Sequence, residues 1–97
     1  MYNEEYLNAL DLLKNDLGII HTKRDEYYYA LLHSVNKELS ERGIHLDMEN
    51  IEDQMLLSDY AAWKYRNREK NVELAKNLKI RIMNRKVKGR AEGHVEG

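Results

Sequence analysis

Apolar residues recur along this chain at intervals of three and four, the period of an amphipathic helix, with polar and charged residues filling the positions between. Tyr6, Leu10, Leu13 and Leu17 form the first stripe, and Gly18 follows as a left-handed stop, which predicts a helix over about Asn3 to Leu17. Thr22 stands where its hydroxyl can cap a second helix starting near Lys23, with Asp25 placed to favour the positive end of the helix dipole. The second stripe, Tyr28, Leu31, Leu32, Val35 and Leu39, runs as far as Arg42, and Gly43 again supplies a stop. Ile44-His45-Leu46-Asp47 is too short for more than an extended connector. Asn50 with Asp53 three residues later signals a third helix start.

The third helix has the densest apolar content. Met55, Leu56, Tyr60 and Trp63 fall on or near one face, and Leu57, Ala61 and Ala62 widen it, which predicts packing against more than one neighbour. Asn71 reads as the next cap, and Leu74, Leu78 and Ile82 at fourth-residue spacing predict a final helix to about Val87 whose other faces are basic. The fold class that follows is all-α: a small bundle of about four helices with a basic C-terminal helix and an extended tail. Residues 1–87 form the helical domain, and 88–97, glycine-punctuated and polar, form the tail. The expected core is Leu10, Leu13, Leu32, Val35, Leu39, Leu56, Tyr60, Trp63, Leu78 and Ile82.

Composition sharpens this picture. A chain of 97 residues builds one modest core, whose net stability is small, so burial against neighbouring copies or another protein would help. Proline and cysteine are absent, which favours helix and leaves no disulfide framework, thiolate nucleophile or sulfur-ligated zinc. No run is long and apolar enough for a bilayer and the acidic start has no leader pattern, so the expectation is a soluble, unexported protein. The net charge of −1 hides a division after Trp63: five Lys/Arg against thirteen Asp/Glu before it, net −8, and eleven against four after it, net +7. A molecule polarised in this way can stack head to tail, or dock its basic end on an acidic surface or a phosphate backbone, although two solvated faces are the plainer reading.

Candidate chemistry is sparse. His21, His33, His45 and His94 share no metal-ligand spacing, and the acidic run from Asp47 fails as a calcium loop because Glu52 stands where glycine is required. Ser34, Ser40 and Ser58 lack the turn context of a nucleophile, so neither an enzyme nor a cofactor is expected. Tyr27-Tyr28-Tyr29 cannot all face one core at 100° per residue, which makes Tyr27 or Tyr29 a candidate subunit contact or a half-exposed surface ring. Asp59 interrupts an apolar stretch and needs a partner such as Arg24, Arg66 or Arg68, in the same chain or the next. The basic run Lys76, Lys79, Arg81, Arg85, Lys86, Lys88 and Arg90 is suited to an acidic protein rim or to DNA phosphates. A helix-turn-helix is a poor fit around Gly43, because the helix that follows is acidic where base contacts would be made.

The segment Leu56-Leu57-Ser58-Asp59-Tyr60-Ala61-Ala62-Trp63-Lys64-Tyr65-Arg66-Asn67-Arg68 resembles the third-helix signature of the head-tail connector (head completion, or adaptor) proteins of tailed bacteriophages. The likeness extends from Leu10-Asp11-Leu12-Leu13-Lys14, through Gly43-Ile44-His45-Leu46-Asp47, to Arg81-Ile82-Met83-Asn84-Arg85. It implies a structural virion protein that forms a homo-oligomeric, twelve-membered ring under the portal, prolongs the DNA channel and receives a tail-side stopper or completion protein. Such a protein would sit at the head-tail interface of the virion, after assembly in the bacterial cytoplasm, with no membrane contact. Lys79, Arg81, Arg85, Lys86, Lys88 and Arg90 would then meet the portal or the passing genomic DNA without reading its bases. Tyr27, Tyr29, Asp59, Arg66 and Arg68 would lie between subunits. The alternatives are a small helical phage DNA-binding or regulatory protein, and an unrelated helical adaptor or toxin-neutralising partner.

Overall fold

Four helices account for the fold: α1 (Leu7–Leu17), α2 (Asp25–Glu41), α3 (Ile51–Arg66) and α4 (Lys76–Glu96). This computed structural model describes residues 6–96, with side chains described through Arg90, and no strand occurs among the described residues. The third helix is the hub, packing on α1, α2 and α4, while α1 and α2 also pack on each other. Leu10, Leu13, Leu32, Val35, Leu39, Leu56, Tyr60, Leu78 and Ile82 are all buried. Tyr6, Ala9, Tyr28, Leu57, Ala61 and Ala62 join them, and Ile44 and Met48 add a contribution from the connector between α2 and α3. Trp63 differs from the expectation: it is only half-buried, packing against the core from its rim. Met55 also departs from the expected core face and is exposed near the start of α3.

Gly18 and Gly43 stop α1 and α2 by the same device. Their φ values of 74° and 84° lie in the left-handed region. At each stop the next two amides turn back onto the helix: Gly18 and Ile19 donate to Asn15 and Lys14 carbonyls, and Gly43 and Ile44 donate to Ser40 and Leu39 carbonyls. The second turn also drives Ile44 into the core.

Helix starts depart further from the pattern. Thr22 does not cap α2 with its hydroxyl; the helix begins at Asp25, with Arg24 at the N-cap and no side-chain cap. The Asp25 carboxylate is tied to α1 through Lys14 Nζ at 2.7 Å, and the Asp25 amide donates to the Thr22 carbonyl. Asn50 does cap α3, its Oδ1 accepting from the amides of Glu52 and Asp53. Asp53 completes no reciprocal box with it, because its Oδ2 accepts from the Asp47 amide at 2.7 Å instead.

The last helix begins at Lys76, not beside Asn71, since residues 70–75 are spent as an irregular connector that returns the chain to α3, with Leu74 and Ala75 packing on the core from it. Its end is also a correction, because helix continues past Val87 through Glu96. An interior glycine costs a helix about 1 kcal/mol relative to alanine, but it ends one only where the chain turns through a left-handed residue. Gly89 does not do so. It has a different use: a Cβ there would lie 3.2 Å from Arg85 Nη1, so the hydrogen leaves that guanidinium room.

Candidate functional site

The surface that distinguishes this molecule is built on α4. At 100° per residue, Leu78 and Ile82 face α3, while Ile80, Met83 and Val87 fall on the far side of the same helix. These three are 50%, 66% and 58% exposed. A helix that has buried one apolar stripe and shows a second carries surface its own domain does not cover. Lys76, Lys79 and Arg90 border this second stripe on the helix surface. Ile51 and Met55 add exposed apolar surface at the start of α3. Between the two helices runs an open cleft of about 360 Å³, lined by Glu52, Met55, Arg81, Asn84, Arg85 and Lys88 among others.

The cationic candidates divide into two groups. Arg85 is not presented outward: its Nε donates to Asp53 Oδ1 at 2.9 Å and its Nη2 to the His45 carbonyl, within a nearly buried pair. Arg81 Nη1 lies 2.7 Å from Asp59 Oδ2. That contact answers the demand of Asp59 for a cation within the chain, but the partner is Arg81 of α4 in place of the expected Arg24, Arg66 or Arg68. Among the described residues, Lys79 pairs only with Glu73, at 4.0 Å. Lys86 is half-buried, and Lys88 and Arg90 are exposed; none of the three makes an ion pair with another described residue.

The candidate interface residues on the other helices are also engaged inside the chain. Arg66 Nη1 lies 3.0 Å from Asp16 Oδ2, and its Nη2 donates to the Asp16 carbonyl, closing α3 onto α1. Arg68 stacks its guanidinium 4.1 Å above the Tyr65 ring. Tyr28 is the buried member of the tyrosine run. Tyr29 is half-buried with its ring edge-on to Tyr6 at 5.6 Å, and Tyr27 is exposed, edge-on to Tyr28 and Tyr65 and covered by Arg24 at 4.7 Å.

Two titrating pairs lie where α3 meets α2. Burial and then the hydrogen bond to Glu38 push the Tyr60 phenol up to about 12. Burial alone would raise Glu38, but hydrogen bonds from Lys64 and Tyr60 outweigh it and hold the carboxyl below its ordinary value. Burial, reinforced by Tyr65, raises Tyr28, whereas the hydrogen bond from Tyr28 lowers Tyr65. Both pairs tie helices together, and neither opens into the α3/α4 cleft.

The outer α4 stripe escaped the sequence pattern because Ile80, Met83 and Val87, although spaced i, i+3, i+7, share their helix with Leu78 and Ile82, which continue the fourth-residue spacing from Leu74. Two interleaved stripes on one segment read as one core face plus scatter. Fold and surface together define an all-α, four-helix domain with an unpartnered, cation-bordered apolar helix face. No known protein family, curated protein or solved structure matches the chain. No described helix is long and apolar enough to cross a membrane.

Proposed function

We propose that this protein is a structural assembly subunit, not an enzyme, and specifically a head-tail connector of a tailed bacteriophage that forms a ring under the portal. The observation that carries the reading is the outer stripe of α4, Ile80, Met83 and Val87, which is exposed in the single chain and bordered by Lys76, Lys79 and Arg90. An apolar face of this kind is stabilised by a partner, and its cationic border selects an acidic one. A symmetric pairing of α4 with α4 of another copy would set like charges against each other, so a heterologous contact, the kind that closes into rings, is favoured. The likeness of residues 56–68 to the connector signature supplies the particular assignment: a virion protein at the head-tail interface, assembled in the host cytoplasm, with a portal on one side and a tail-side protein on the other.

The alternative of a DNA-binding regulator draws less support. Arg81 and Arg85 are held by Asp59 and Asp53, which removes two guanidinium groups from the phosphate-binding inventory. Light scattering on the chromatographically purified protein, alone and with the portal of the same phage, tests the proposal. A ring mass many times the 11.6 kDa protomer, or co-elution with portal, is expected, and Met83→Glu should abolish it. A monomer at every concentration that ignores portal, or a dimer that binds duplex DNA sequence-selectively, would sink the reading.

A further inference from the structure

A second cleft lies at the C-terminal end of α3, and its reading does not rest on the connector assignment. It is open, encloses about 460 Å³, and lies between α2, the end of α3 and the connector to α4. Leu31, Trp63 and Val72 give it apolar walls; Leu31 and Trp63 are half-buried and Val72 is exposed. Lys64, Arg68 and Lys70 bring cations to it, and none of its lining residues is a carboxylate. Lys64 is already held by Glu38. Arg68 and Lys70 make no ion pair with another described residue.

We propose that this cleft binds an acidic peptide segment of a partner protein, with its carboxylates on Arg68 and Lys70 and an aliphatic side chain against Leu31, Trp63 and Val72. The charge requires an anion, and the apolar walls require an occupant that also has something to bury. Single-stranded nucleic acid is the other polyanion with apolar surface, but it needs open ring faces for its bases. Here Arg68 lies 4.1 Å over Tyr65 and Arg24 lies 4.7 Å over Tyr27. The two tyrosine rings meet each other edge-on at 6.1 Å. That arrangement presents hydroxyls and guanidinium groups in place of stacking platforms, and carboxylates are the ligands those donors suit.

Trp63 is the only tryptophan in the chain and forms a wall of this cleft, so its fluorescence responds to an occupant there. A double variant at Arg68 and Lys70 separates that response from one in the neighbouring cleft that Trp63 shares with α4. The probe is an acetylated peptide of Glu, Asp and Leu residues, run beside the same peptide with Gln and Asn in place of the acids, and beside an oligothymidylate. The acidic peptide should give a saturable change in emission that the amide peptide does not. The double variant Arg68→Gln, Lys70→Gln changes exposed side chains, retains the fold, and should weaken the response about tenfold, the loss of two surface ion pairs. The proposal is overturned if the acidic peptide gives no saturable response, if the amide peptide or the double variant responds equally, or if the oligothymidylate binds more tightly. A concentration-dependent emission change without peptide that tracks a rise in mass would assign the cleft to a second copy of this chain, and would also overturn it.

Discussion

Asp53 and Asp59 are six residues apart on α3, and each meets an arginine of α4, yet their surroundings give them different weights. Asp53 and Arg85 expose only 7% and 16% of their side chains, and Asp53 also accepts from the Asp47 amide. Asp59 and Arg81 are 40% and 38% exposed, where solvent screens most of the attraction. Asp53→Ala is therefore expected to cost about 3 kcal/mol, since it removes the carboxylate that faces a largely buried guanidinium and accepts from the Asp47 amide. Asp59→Asn should stay within about 1 kcal/mol of wild type. Chemical denaturation of both variants checks the pair, and equal losses would contradict the burial argument. Tyr60 and Glu38 make a second residue-scale case, with opposite signs. The folded pKa of Glu38 is depressed, so its contribution is present above the ordinary carboxyl value of 4.5 and is lost as pH falls through the folded value. That of Tyr60 is raised, so its contribution is complete below 10.0 and fades as pH rises toward about 12. Thermal melts should show Glu38→Gln with a shallower acid loss than wild type, and Tyr60→Phe with a shallower alkaline loss.

At the scale of elements, α4 is a helix with two apolar sides and only one of them used. Ile82 is buried against α3, and Met83, one residue on, is 66% exposed. Ile82→Ala should destabilise by about 2 to 4 kcal/mol through lost burial and the cavity left behind. Met83→Glu should change the stability of the protomer by no more than about 0.5 kcal/mol. Melts of dilute protein, where association is negligible, make the comparison; a large loss in Met83→Glu would mean that the outer stripe is part of the fold. The same contrast protects the functional test, because a variant that keeps its melting temperature and loses its assembly has lost a contact surface only.

For the whole molecule, the principal extents of 45 × 32 × 19 Å explain why surface is left over. The thinnest dimension holds about two helix diameters, so no further layer covers the outer sides. The chain to Trp63 carries net −8 and the remainder net +7, and ion pairs such as Arg66 with Asp16 and Arg81 with Asp59 cancel part of that internally. On the proposed reading, what remains would draw copies or partners together through screened attraction. Raising salt from about 0.1 M to about 1 M shortens the Debye length from about 10 Å to about 3 Å, so assembly should weaken across that range in light scattering. A mass unmoved by salt would leave the apolar stripe as the sole driving force.

Much of the fold was legible in the sequence, because helix formation and termination are local. The spacing of Leu10 with Leu13, of Leu32, Val35 and Leu39, and of Leu78 with Ile82 assigns each stripe to a helix, and the two left-handed stops at Gly18 and Gly43 depend on the glycines themselves. The Asn50 cap is local in the same way. Longer-range properties were not legible. That Asp59 would meet Arg81, that Asp53 would serve Asp47 and Arg85, that α4 would start at Lys76, and that Trp63 would sit at the rim all depend on which helices lie side by side. Residues distant in sequence become neighbours only through packing, and the same packing decides which of two apolar stripes on one helix is covered. The periodicity of the chain therefore determined that there would be four helices with faces to bury, whereas the tertiary structure alone decided that Leu78 and Ile82 would be covered and Ile80, Met83 and Val87 left exposed.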